Sequence, residues 1–163
     1  VAQKAEKKWG TSMHIAMAIM NQESAFKSKA RPPRRYLLGF IPWRRHSSAY
    51  GYAQVVDGTW QQYINDTGAY WRKRNNFADA TDFVHWYMLE ANKQNKVAKS
   101  DAYNLYLNYH EGPAGFRRGT YKSKKWLAAT ALKVQRRADN YRVQYARCRQ
   151  ALKAGFWSRL LGG

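Results

Sequence analysis

Thr11-Ser12-Met13-His14-Ile15-Ala16-Met17-Ala18-Ile19-Met20-Asn21-Gln22-Glu23-Ser24 is the stretch on which the reading of the whole chain turns. Met13, Ala16, Met17 and Met20 recur at helical spacing, and Ile15 and Ile19 fill the next stripe. Thr11 and Ser12 are N-cap residue types, so the helix is expected to begin at Met13. A helix apolar nearly all round belongs in the middle of a domain. It ends abruptly in four polar residues, Asn21 to Ser24, and Glu23 follows Ala16, Ile19 and Met20 by seven, four and three positions. Glu23 therefore projects from the apolar face. Desolvation and the negative end of the helix dipole both disfavour its charge. A carboxyl that keeps its proton near neutral pH is a general acid, as protonation of a glycosidic leaving oxygen requires. Taken alone, a helix-end Glu beside Lys27 more often turns to solvent, and only its context reverses that balance.

Outward from this helix, residues 27–48 lose all periodicity and carry Pro32, Pro33, Gly39 and Pro42, which predicts loop, with Tyr36 to Phe40 able to pair as one arm of a short hairpin. Asp57 is expected to cap a helix through Trp60, Tyr63 and Ile64, and Asn75-Asn76 a longer one through Phe77, Ala80, Phe83, Val84 and Tyr87. Ser100-Asp101 caps another that carries Tyr103, Tyr106 and Leu107 and stops at Gly112-Pro113. From Lys124, residues Leu127, Ala131, Val134, Ala138, Tyr141, Tyr145, Cys148 and Leu152 form a seam of three- and four-residue steps on one long helix that packs against the domain. These elements predict one mainly α domain over residues 1–154 and a tail over 155–163.

Three short motifs stand in fixed order: Glu23-Ser24 at a helix end, Gly51-Tyr52-Ala53-Gln54 after a loop, and Asn108-Tyr109-His110-Glu111-Gly112-Pro113 closing a later helix. Together they resemble the lytic transglycosylase (SLT) family, which reads E-S, then G-L-M-Q, then A-Y-N-x-G; Asn76-Phe77 with Ala80 is similar to its intermediate N-I-x-x-G segment. The match runs from about Met13 to Gly119 and is nearest to a small, basic branch, often envelope lipoproteins, whose third motif reads Y-H-E-G. The resemblance implies a goose-lysozyme-like helical fold with at most a short hairpin, and a place in the bacterial cell envelope or periplasm. Lipid anchoring through a segment outside this sequence is compatible with it.

Carried over by position, the resemblance makes Glu23 the catalytic acid and base. Ser24 would polarise or position it, and Gln54 would bond substrate or an active-site loop. Tyr109 would sit over the carboxylate, with Tyr52 and His110 completing the substrate-binding set. Tyr52 and Ala53 depart from the family's Leu and Met, and His110 from its Asn. The implied reaction breaks the bond between N-acetylmuramic acid and N-acetylglucosamine, and the sugar's own primary hydroxyl closes a 1,6-anhydro ring without water. A two-carboxylate hydrolase needs a second acid about 5–10 Å away, and from Ser24 through Val56 there is no Asp or Glu. Glu111 and Asp57 remain; Glu111 reads first as a helix-end charge beside Arg117 and Arg118, and Asp57 as a cap.

Composition bounds the alternatives. With 45% hydrophobic and 15% aromatic residues, the 163-residue chain can form a core, which excludes intrinsic disorder. A single cysteine, Cys148, excludes an intrachain disulfide and reads as a small apolar residue. His14, His46, His85 and His110 show no paired metal-ligand spacing, so neither metal nor cofactor is expected, and His85 reads as structural. The net charge of +19 calls for an anionic partner. Peptidoglycan carboxylates and an anionic membrane surface both qualify; specific nucleic-acid binding does not follow, since no helix-turn-helix, zinc-finger or RNP signature is present. The expected state is a monomer. A muramidase-type hydrolase and a catalytically silent peptidoglycan-binding module are the nearest alternatives, and a nucleic-acid-binding helical protein, for which the charge and the interleaved Trp and Tyr would be ordinary, is a more distant one. The segment Arg34 to Ser48, with Tyr36, Leu37, Leu38, Phe40, Ile41 and Trp43 between Arg34-Arg35 and Arg44-Arg45, reads either as a substrate-side flap or as a hydrophobic satellite of the core.

Overall fold

The polar stop after Met20 and the apolar run before it produce the central rod of a helical domain. The computed structural model describes residues 1–32, 36–37, 41–42 and 47–161, with side chains over 1–32 and 47–151. Within these, α1 (Ala2–Trp9), α2 (Met13–Ser24), α3 (Asp57–Thr67), α4 (Phe77–Asn95), α5 (Ala102–Arg118) and α6 (Lys125–Leu161) follow in order. A two-residue antiparallel pair, β1 (Tyr36–Leu37) with β2 (Ile41–Pro42), lies between α2 and α3, in the segment expected to form a hairpin arm. Of the expected flap, Arg34 to Ser48, the side chains of residues 34–46 lie outside the described residues.

Helix α2 is enclosed by α1, α4 and α6. Ala16, Ala18, Ile19 and Met20 are fully buried, and each large apolar side chain so placed contributes roughly 1.5–3 kcal/mol by leaving water. The expected seam of α6 covers the other side: Leu127, Ala131, Val134 and Ala138 are buried, and Tyr141 packs against their edge. Tyr145 still meets His14, with ring centroids 5.5 Å apart, but Cys148 is exposed rather than the packed apolar residue its place in the seam predicted. Among the described residues no helix is long and apolar enough to cross a membrane.

Three local expectations are corrected by backbone detail. Asp57 is the first helical residue of α3, not its cap; its carboxylate pairs with Arg74 at 2.7 Å while its N–H donates to Ser48 Oγ at 3.0 Å. Neither Thr11 nor Ser12 caps α2 with its side chain. Glu6 from α1 accepts the Met13 N–H at 3.1 Å, and Thr11 turns inward to His85 Nδ1 at 2.7 Å. Helix α5 does not stop at Gly112: it breaks there, at φ 71° and ψ 163°, and resumes to Arg118. The caps expected from Asn76 and Asp101 form, Asn76 accepting from the Ala78 and Asp79 amides and Asp101 from that of Asn104.

One half-buried carboxylate ties three helices together. Asp82 of α4 accepts from Lys8 and Trp9 of α1, from Tyr63 of α3 at 2.7 Å, and from Arg72. His85, one turn on, is fully buried, and burial brings its pKa down to about 4, so the ring is neutral in the core.

Candidate functional site

The three motifs converge on one backbone turn, residues 51–54. Gly51 has φ +81°, and its amide donates to the Ala30 carbonyl at 3.0 Å while Tyr52 N–H donates to Arg74 O at 3.2 Å. Gln54, itself left-handed at φ +48°, folds its side chain back so that Nε2 donates to Ala30 O and Gly51 O, both at 2.8 Å. Ser24, at the end of α2, donates to Tyr52 O at 2.7 Å. Tyr109, on α5, donates to Ala53 O at 2.6 Å. Three side chains far apart in sequence thus hold the carbonyls of one turn, which references the end of α2 and the face of α5 to each other.

This arrangement changes the roles open to the expected substrate-binding residues. The Ser24 hydroxyl is directed at the Tyr52 and Met20 carbonyls, at 2.7 and 3.2 Å, so it positions the helix end that carries Glu23. Gln54 and Tyr109 line the cleft with their hydrogen-bond donors engaged by backbone. Tyr52 is not among the cleft-lining residues; its ring packs edge-on against Phe77, with centroids 5.4 Å apart, and supports the turn from behind. His110 does line the cleft.

Glu23 stands at one side of that cleft, a cavity of about 530 Å³. Phe83, Tyr87, Tyr109, His110 and Glu111 form its other walls. Burial pushes the Glu23 pKa up to about 7, and only the Tyr106 hydroxyl, directed at the carboxyl as a hydrogen-bond donor, works in the opposite direction. Burial also raises the pKa of Tyr106, Tyr109 and Tyr87, so all three stay neutral donors in the physiological range. Tyr87 donates to the Asn108 carbonyl at 3.3 Å and packs edge-on against Tyr109 at 4.9 Å, which fixes the aromatic wall.

Glu111 is the second carboxylate of the same cleft, and its environment is the opposite. Its side chain is 4% exposed. Burial alone would raise its pKa, but Lys124 Nζ at 2.7 Å, the Thr120 hydroxyl and His110 Nδ1 at 2.9 Å all bond it and bring it down to about 2. Its neighbours are therefore Lys124 and Thr120, not the Arg117 and Arg118 suggested by adjacency; Arg117 reaches Asn95 instead, at 3.4 Å. The break at Gly112 brings the following turn and residues 120–124 back over Glu111. Pro113 has no N–H, so the helical bond to the Tyr109 carbonyl is missing where the wall bends.

Two groups of this site were missed in the sequence. Tyr106 was noted only as part of a helical face, although it lies three residues before Tyr109 and so shares its side of α5. The pairing of Glu111 with Lys124 and Thr120 had no sequence signal, because it depends on how the chain returns after Gly119. Among the described residues, no three of His, Cys, Asp and Glu are grouped so as to hold a metal ion.

A carboxyl titrating near 7 in a cleft donates a proton only while protonated, so any turnover that draws on the Glu23 proton should fall as pH rises through about 7. Tyr106→Phe removes the interaction that favours the charged form; the alkaline limb of the kcat profile is then expected to move to higher pH, with a few-fold loss of rate. An unchanged limb would separate Tyr106 from Glu23.

The cleft thus holds two acidic side chains of opposite protonation tendency, an aromatic wall and a turn bonded by residues of all three motifs, and the second acid, Glu111, was read from the sequence only as a helix-end charge. No curated protein and no solved structure matches the chain. The family model described as Transglycosylase SLT domain matches residues 1–148, nearly the whole of α1 through α6, and the chain therefore belongs to the transglycosylase SLT-domain family, a peptidoglycan-related family of the cell envelope.

Proposed function

We propose that this chain is a peptidoglycan lytic transglycosylase that cleaves between N-acetylmuramic acid and N-acetylglucosamine and leaves a 1,6-anhydro end. The observation that carries the reading is a Glu23 carboxyl with a pKa of about 7, at the end of a buried helix and open to a cleft of about 530 Å³. Protonated Glu23 gives its proton to the leaving O4. The carboxylate left behind, together with the N-acetyl group of the substrate, meets the positive charge that develops at C1. Attack by the O6 hydroxyl of the same sugar then closes the anhydro ring. The catalytic domain is residues 1–154, acting as a monomer without metal or cofactor in the envelope or periplasm. The Lys- and Arg-rich surface, part of a net charge of +19, draws the domain to the carboxylates of peptidoglycan and to anionic lipid.

The presence of ionised Glu111 in the same cleft favours one second reading, a muramidase-type hydrolase in which water rather than O6 attacks. Digestion of purified sacculi with the protein, followed by mass spectrometry of the released glycans, tests both. Anhydromuramic ends are expected. Reducing muramic ends would replace the transglycosylase by the hydrolase, and intact sacculi that still bind the protein would leave a binding module.

A further inference from the structure

His110 and Glu111 form a carboxylate-imidazole pair inside the cleft that nothing in the Glu23 chemistry uses. Glu111, ionised and nearly buried, can only accept hydrogen bonds, so the proton of the His110 ring sits on Nδ1 and is donated to Glu111 Oε1 at 2.9 Å. The same contact fixes the orientation of the ring, so that in the neutral form the lone pair is on Nε2, on the far side of the ring and without a hydrogen-bond partner among the described residues. The His110 side chain is 34% exposed and lines the cleft. Tyr106, whose hydroxyl favours the charged form of Glu23, relates the two residues, and its ring lies 6.5 Å from the His110 ring, one turn along α5. Trp126, at the start of α6 and 57% exposed, stands edge-on to the imidazole at 5.2 Å and limits its rotation from the other side. The charged and titratable groups around the ring are thus Glu111 and Lys124 behind it and Glu23 beyond Tyr106.

We propose that His110, oriented by Glu111, is the base of the ring-closing step, taking the proton of the substrate's O6 hydroxyl, so that this cleft divides acid and base between two residues instead of returning both duties to Glu23. The inference rests on the transglycosylase reading above. As the C1–O4 bond breaks, its electron pair leaves with O4, which carries away the Glu23 proton. The O6 lone pair then forms the bond to C1, and the O6 proton passes to His110 Nε2. The imidazolium and the Glu23 carboxylate that remain are reset when the proton crosses the emptied cleft through solvent. An imidazole held in one orientation by a carboxylate suits this base step. The substitution of His for the family's Asn at this position then has a chemical purpose.

The test uses the full chain on purified glycan strands, with His110→Asn and His110→Gly beside wild type and circular dichroism to select folded protein. His110→Asn keeps a hydrogen-bonding side chain but no base; kcat is expected to fall about 100-fold with KM changed less than threefold. The share of anhydro ends should also fall, because water gains time to attack. Added imidazole should restore turnover to His110→Gly and not to His110→Asn. Wild-type rate and wild-type anhydro share in His110→Asn, or no rescue of folded His110→Gly, would overturn the assignment while leaving Glu23 in place. Absence of any cleavage by wild type would remove the transglycosylase reading and this step with it.

Discussion

Glu23→Gln is expected to abolish glycan cleavage, by at least about 1,000-fold, and at the same time to make the protein more stable above neutral pH. The first effect follows because the amide keeps the shape of the carboxyl and can still accept from Tyr106 but has no proton to give. The second follows from linkage. The folded-state pKa of about 7 lies above the ordinary 4.5, so the folded protein holds this proton more tightly than the unfolded chain. The resulting stabilisation is fully present below pH 4.5 and lost as pH rises through about 7, where the folded state must carry a poorly solvated charge. Gln carries none. Above pH 8 the variant should exceed wild type in urea unfolding by on the order of 2–3 kcal/mol, and near pH 4 the two should coincide. Binding to sacculi should persist. Retention of activity within a few-fold of wild type would sink the assignment of Glu23, and equal stability at all pH values would place its carboxyl in water.

Gly51→Ala is expected to lower stability by roughly 2–5 kcal/mol and to take activity with it. At φ +81° an L side chain is strained, and a Cβ built on Gly51 would stand 2.2 Å from the Arg74 carbonyl oxygen and 2.6 Å from its carbon. Backbone atoms that bond Tyr52 N–H cannot step aside cheaply. For a domain of this size the melting temperature should fall by about 5–15 °C. Ser24, Gln54 and Tyr109 all bond to this turn, so its displacement releases the end of α2 and the wall of α5 together. Gly58→Ala is the control: among the described residues no neighbouring atom lies within 4 Å of its added Cβ, and Ala in α3 should be neutral or slightly stabilising. A Gly51→Ala protein that melts within 2 °C of wild type would show that the turn tolerates rearrangement.

Legibility in the sequence followed from range. Helix α2, its buried character and the odd position of Glu23 are periodic facts within a dozen residues, and an apolar stripe can be satisfied only by burial. The seam of α6 was readable through Ala138 for the same reason, and failed at Cys148, because periodicity records which face is apolar and not where the domain body ends. Caps were readable with their side-chain bonds at Asn76 and Asp101, by position alone at Ser12, where Glu6 takes the Met13 amide, and misread at Asp57, whose carboxylate pairs with Arg74.

The chemistry of the site divides along the same line. That one Glu sits at the end of an apolar helix, ahead of a Gly-x-x-Gln turn and a Tyr-His-Glu-Gly helix end, is written in the order of the residues and was enough to identify the family. That Ser24, Gln54 and Tyr109 all donate to carbonyls of the turn at residues 51–54, that the Tyr106 hydroxyl favours the charged form of Glu23, and that Glu111 is kept ionised by Lys124 while burial raises the pKa of Glu23, all depend on contacts between segments far apart in the chain. A pKa is set by solvent access and by the charges within a few ångströms, and both are properties of packed surfaces that no local stretch of chain contains.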